Sequence, residues 1–170
     1  MKLLTLIIAL VLAGNVLLSQ EKFVAPELTD EQKCEVLYSH VVAYAVSGIS
    51  FAKSQGLSPE EYGRYIGKKF SAYWNPEDGF PVLVTRMMYI LAGLHPDNQM
   101  QIVKQSGKSI TFQLMNVDLS FKQGPMFDVT YQDFLNCSYG IIEVIAHHMN
   151  ATFSQSTTAD GWYIATLSQK

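Results

Sequence analysis

The stretch from Tyr131 to Asn150 constrains this chain more than any other, because it reads as one amphipathic helix set between two β-hairpins. Thr130 with Asp133 three places on has the form of a helix-capping box. Tyr131, Phe134, Leu135, Ser138, Ile141, Ile142, Ile145, His148 and Met149 then recur at steps of three and four, which lays them along one side of a helix. Asn150 is a suitable terminator, since asparagine tolerates the left-handed conformation that often ends helices. Gly140, in the helix interior, costs roughly 1 kcal/mol relative to alanine. It reads as a packing position or as a place where another backbone or a ligand comes close.

Downstream, Ala151–Ser156 and Trp162–Leu167 alternate as strands do, and Asp160-Gly161 between them supplies a turn. Upstream, Met100–Gln105 and Ser109–Met115 flank Ser106-Gly107-Lys108 in the same way. The first half is helical. Thr29 with Gln32 opens a helix that Gly56 ends, with Cys34, Leu37, Val41, Val42, Ala45, Ile49 and Ala52 on one stripe. Val36, Tyr44 and Phe51 make it apolar on other sides too, a pattern expected of a helix buried on more than one face. Ser58-Pro59-Glu60-Glu61 starts a second helix with an aromatic stripe of Tyr62, Tyr65, Ile66, Phe70, Tyr73 and Trp74. A third runs from Pro81 to Ala92. The resulting fold class is α+β: N-terminal helices, then hairpin–helix–hairpin, the four strands forming one antiparallel sheet covered by helices.

The first twenty residues read differently. Lys2 precedes a run, Leu3 to Leu12, that is apolar apart from Thr5, and Ser19-Gln20-Glu21-Lys22 comes after it. This is the form of a secretory signal peptide, and the run is short for a membrane span of roughly 20 residues. The expected organisation is a signal peptide over 1–20 and a single domain over 21–170, secreted or periplasmic, with no membrane span in the mature chain. The 12 basic and 15 acidic residues are unclustered, and without Lys2 the balance is −4. Nothing resembles the basic stripe of a nucleic-acid-binding surface.

Chemistry-bearing residues are few. Cys34 and Cys137 allow a disulfide between the first long helix and the central one, or two buried free thiols. As a catalytic nucleophile Cys137 needs a base. His148 lies on nearly the same helix face but about 16 Å along the axis, which leaves His40 as the candidate. Glu143 and His147 share a face, as an ion pair or as two legs of a metal site completed by His40 or His95. No zinc-finger spacing, phosphate loop or nucleophile elbow is present, so no metal or cofactor is assigned. Asn136-Cys137-Ser138 and Asn150-Ala151-Thr152 match the glycosylation pattern of a eukaryotic secretory pathway. Arg86 stands alone in an apolar helix, either reaching solvent or meeting a carboxylate or a ligand anion. Residues 117–128 are too apolar for an ordinary loop, and read as a flap over a pocket or as a segment packed across the sheet.

The order helices, hairpin, helix, hairpin, with Tyr139-Gly140-Ile141-Ile142-Glu143 and Ala159-Asp160-Gly161-Trp162-Tyr163-Ile164 near its close, resembles the 4-vinyl-reductase-like ligand-binding domains. These share a superfamily with haem nitric-oxide-binding domains, and the chain is also similar to the related aminothiazoline-carboxylate hydrolase-like bacterial proteins. The likeness covers about the last seventy residues. It implies a pocket-forming scaffold with a tendency to form homodimers. The cysteines common around the final hairpin of the vinyl-reductase-like group have no counterpart at Trp162–Ile164, and the Tyr-x-Ser-x-Arg signature of the haem sensors is absent. No haem, metal or hydrolase residue therefore carries over.

The leading expectation is a non-catalytic protein that binds a small apolar or aromatic ligand, with Tyr65, Phe70, Trp74, Arg86 and Phe127 lining the site and Arg86 as an anion partner. The alternatives are a hydrolase using Cys137 or a His/Glu site, and a structural subunit that self-associates.

Overall fold

A computed structural model describes residues 27–170. The signal peptide expected over 1–20 lies outside the described residues. Glu31–Lys170 form one compact unit. In chain order the described elements are α1 (Asp30–Ser54), α2 (Pro59–Phe70), α3 (Gly79–Ala92), β1 (Gln99–Ser106), β2 (Ser109–Met115), α4 (Tyr131–His148), β3 (Ala151–Thr157) and β4 (Tyr163–Gln169). Short 3₁₀ turns at Ser71–Tyr73, Pro76–Asp78 and Leu119–Phe121 connect them.

The two hairpins join in one antiparallel sheet of order β1-β2-β4-β3, so the hairpins flanking α4 in sequence meet through β2 and β4. Register puts Ile110, Phe112 and Leu114 opposite Leu167, Ala165 and Tyr163, and all six are buried. The intervening positions are polar apart from Ile164: Thr111 and Thr166 pair through their hydroxyls at 3.0 Å, as do Ser109 and Ser168 at 2.9 Å. Alternation of period two therefore gives the sheet one apolar face. α4 covers that face with Leu135, Ile142, Ile145 and Ala146, and α3 adds Leu83, Met87 and Leu91. Each of these large side chains stabilises the fold by roughly 1.5–3 kcal/mol through burial. Edge strand β1 is almost wholly exposed and carries a register shift between Ile102 and Lys104, an irregularity that discourages pairing with another sheet.

Local signals set the helix ends. Ser58 Oγ accepts from Glu61 N at 3.2 Å while Ser58 N donates to Glu61 Oε2 at 2.8 Å, with Pro59 in the first turn. Thr130 and Asp133 make the same reciprocal pair at 3.1 and 3.0 Å. Gly56 (φ 79°) and Asn150 (φ 57°) take the left-handed conformations that close α1 and α4. Asp133 also receives Lys53 Nζ at 2.9 Å, tying the end of α1 to the start of α4. Burial pushes the Asp133 carboxyl up, but the Thr130 amide and Lys53 outweigh it and hold it below its ordinary value. Asp133→Ala removes half of the cap and the tie together. It is expected to cost roughly 1–2 kcal/mol in urea unfolding at neutral pH. Because the carboxyl is depressed in the folded state, that difference from wild type shrinks as pH falls through its folded pKa.

Two helices depart from their expected faces. α1 is not buried on more than one side. Its buried line is Val42, Val46, Ile49 and Ala52, whereas Leu37, Val41, Tyr44 and Phe51 are exposed and so is Ala45. The helix is long and apolar enough to cross a membrane by length and composition, yet its buried line packs into a core with Phe121, Val129 and Cys137. α2 buries neither Tyr65 nor Phe70; its buried residues are Gly63 and Gly67. These face Cys137, Gly140, Ile141 and Val144 of α4 so closely that a methyl on Gly63 would overlap the Cys137 carbonyl oxygen. One on Gly140 would in turn overlap the Glu60 carbonyl. Gly140 is therefore a place of close backbone approach, and its partner is a helix.

Candidate functional site

The glycine-mediated contact between α2 and α4 leaves the neighbouring side of α4 uncovered, and a cavity of about 470 Å³ opens there. Its floor is α4, through Leu135, Ser138, Ile141, Ile142 and Ile145, with Tyr163 of β4 beneath. Met87, Ile90 and Leu91 of α3 make one wall, and Ala45 and Ile49 of α1 another. Phe70, Tyr73 and Trp74, at and just beyond the end of α2, complete it. None of the described lining residues carries a charge. A second, smaller concavity of about 360 Å³ lies between α3 and the β1–β2 turn.

The polar atoms around the cavity are mostly committed. Tyr163 Oη donates to Gln155 Oε1 at 2.7 Å, and Gln155 Nε2 donates to the Leu135 carbonyl at 3.0 Å. The Trp74 carbonyl is met by His148 Nε2 at 2.8 Å. Arg86 lies over the Trp74 ring, its guanidinium carbon 5.3 Å from the centroid. It also reaches Asp78 at 3.9 Å and the Tyr73 carbonyl at 3.4 Å. The Ser138 hydroxyl has no protein hydrogen-bond partner among the described residues. Burial pushes the Cys137 thiol up to about 11.

Of the five ligand-lining residues expected from sequence, the structure brings Phe70 and Trp74 to the cavity. Tyr65 is exposed on the outer side of α2 beneath Lys69, and Arg86 stays outside the lining. Phe127 tops a tight turn closed by reciprocal Met126–Val129 backbone bonds, with φ 54° and its ring in solvent. Residues 117–128 do not lie over the cavity either: Phe121 packs against Tyr131 and Phe134 and joins the α1 core. What sequence reasoning missed was the α4 floor and the α3 wall, whose isoleucines, leucines and methionine read as ordinary core. The overlooked signal was the pair Gly63 and Gly67, which marks the side of α4 that the neighbouring helix occupies.

The catalytic and metal candidates are dispersed. His40 is exposed on α1, and His147 is exposed at the end of α4. Glu143 pairs with Arg64 of α2 at 2.8 Å, in place of the expected partner His147. No cluster of three His, Cys, Asp or Glu side chains suited to a metal occurs among the described residues. Cys137 and Cys34 are free thiols, the first buried against α2 and the second exposed, so the disulfide allowed by the sequence is not formed. Cys137 makes no hydrogen bond to a base, and its raised pKa keeps it a thiol, the form that is a poor nucleophile.

No protein-family model matches the chain, and no curated protein matches it. Solved structures similar to it include the Fe(II) unliganded H-NOX protein from K. algicida, at 11% identity and a TM-score of 0.36, covering 70% of this chain and 67% of that one. A point mutant of the same protein gives 10% identity and a TM-score of 0.35, covering 90% and 80%. The cavity itself can be tested for haem. Proteins hold haem iron through histidine, cysteine thiolate, tyrosine or a methionine paired with histidine. The described wall has no histidine, its cysteine is held protonated, and its buried tyrosine is bonded to Gln155. No cation lines it to receive the propionates. These residues do not fit a haem.

Proposed function

We propose that this is an exported protein that holds a small apolar or aromatic molecule in the cavity between α1, α3 and α4, without converting it. Export, to a periplasmic or extracellular space, rests on the leader-like first twenty residues. Binding rests on one observation: a cavity of about 470 Å³ whose described lining carries no charge. That volume falls in the range of roughly 300–1,000 Å³ typical of small-molecule sites. A ligand entering such a wall gains about 0.8 kcal/mol for each methylene removed from water. Phe70 and Trp74 supply flat area for an aromatic group.

The neutral fluorophore N-phenyl-1-naphthylamine tests this reading. Its emission is expected to rise and shift blue on binding the full chain. Ala45 lines the cavity yet is exposed, so a larger side chain there occupies the mouth without disturbing the core. Ala45→Trp is expected to weaken binding at least about tenfold with its thermal midpoint unchanged. Undiminished binding by that variant would place the fluorophore elsewhere and remove the support.

A second reading, a self-associating subunit, has its own observation in Leu37, Val41, Tyr44 and Phe51, exposed along α1. Contiguous apolar surface of this kind marks interaction sites. Light scattering coupled to size exclusion decides it: a dimer mass lost on Val41→Asp supports the subunit role, and a monomer at all loading concentrations removes it.

A further inference from the structure

A cavity that binds a small molecule also selects among molecules by their charge. Resting on the binding reading, we infer that this one takes an uncharged hydrophobe with at most one neutral polar group, oriented by Ser138 Oγ, and that it rejects the matching carboxylate.

The observations are electrostatic. An ionised carboxylate leaving water needs a cation, a set of donors or a helix N-terminus in exchange. No described lining residue is charged. Arg86, whose guanidinium lies over the wall residue Trp74, already has Asp78 at 3.9 Å and the Tyr73 carbonyl at 3.4 Å. The first turn of α4, where Phe134 and Leu135 reach the cavity, has its positive end occupied by the Asp133 carboxylate. The chain as a whole is acidic, at −3. A neutral hydroxyl or carbonyl group faces a different situation. Ser138 Oγ has no protein partner among the described residues, and it can both donate and accept. The buried hydroxyl of the wall, on Tyr163, is spent on Gln155. Ser138 thus carries the one hydroxyl of the α4 floor, and it is free to fix the orientation of an otherwise featureless ligand.

Displacement of N-phenyl-1-naphthylamine from the full chain by three twelve-carbon competitors tests the inference: 1-dodecanol, dodecane and, at a pH where it is ionised, dodecanoate. Dodecanol is expected to displace the fluorophore at about tenfold lower concentration than dodecanoate. Ser138→Ala is expected to remove about threefold of the advantage that dodecanol holds over dodecane. Arg86→Ala, which exposes Asp78, leaves dodecanoate the weak competitor. Dodecanoate matching or surpassing dodecanol overturns the inference while leaving the binding reading intact, and so does a dodecanol preference indifferent to Ser138→Ala. Failure of the fluorophore to bind the native chain, or its undiminished binding to Ala45→Trp, overturns the binding reading and the ligand class with it.

Discussion

Gly63→Ala is expected to destabilise the protein by about 3 kcal/mol or more, the largest effect of any single added methyl group here. The new carbon would overlap the Cys137 carbonyl oxygen and crowd the Cys137 Cα at 3.1 Å. All these obstacles are backbone atoms within a helix, so no rotamer change relieves them. α2 must instead lift away from α4, which would open the contact at Gly67 and stretch the Arg64–Glu143 pair. Gly140→Ala meets the Glu60 carbonyl and the Arg64 amide from the other side and should cost a similar amount. Gly67→Ala, with the Ile141 carbonyl at 2.8 Å and the Val144 Cβ at 3.0 Å, should cost less. Gly107→Ala is the control: nothing lies within 4 Å of its added carbon, and it should stay within about 0.5 kcal/mol of wild type. Urea unfolding at neutral pH measures all four. A Gly63→Ala protein as stable as the control would mean that the two helices do not cross as closely as described.

Those glycines also explain which parts of the molecule were legible from sequence. Ser58 with Glu61 and Thr130 with Asp133 act within one turn, so the helix starts could be read without any knowledge of the fold. The same holds for Gly56, Asn150 and Gly161, whose positive φ values close turns by local sterics. Both hairpins, and the α+β class they imply, rest on such local rules plus alternation. α1 behaved differently because apolar residues surround it. When Leu37, Val41, Val42 and Ala45 are all candidates, the buried phase is chosen by what lies opposite, and Phe121 and Val129 lie far along the chain. α2 turns Tyr65 and Phe70 outward and meets α4 with Gly63 and Gly67, because a close helix crossing rewards the absence of side chains. The cavity inherits that difficulty. Trp74 and Phe70 advertise themselves as rings near a helix end, whereas Ile142 and Ser138 become lining only because α2 turns its glycines to the adjacent side of α4.

Alkaline pH should unfold this protein earlier than its ion pairs alone would lead one to expect, and Cys137 should set where the decline begins. Burial pushes its thiol from an ordinary value of 9.0 up to about 11. Burial, with a smaller contribution from Asp118, pushes the Tyr131 phenol from 10.0 up to about 12. Burial, then Tyr131, pushes Tyr163 up as well. Each group is neutral when protonated, so the folded state retains a proton that the unfolded chain releases. Stability then falls with rising pH, because the unfolded state binds fewer protons. Below roughly pH 9 both states are protonated and the contribution is complete; it drains away as pH rises through the folded values. For Cys137, two units at about 1.4 kcal/mol each set the loss at about 2–3 kcal/mol across that window. Urea midpoints at neutral pH and near the Cys137 folded pKa should therefore differ by more than ion-pair screening explains. Cys137→Ala should shrink that difference by about 2 kcal/mol, while Cys34→Ala, at an exposed position, should leave it unchanged. If the two alanine variants lose stability with pH alike, the thiol beneath Gly63 titrates as it would in water, and the close packing of α2 on α4 is not excluding solvent there.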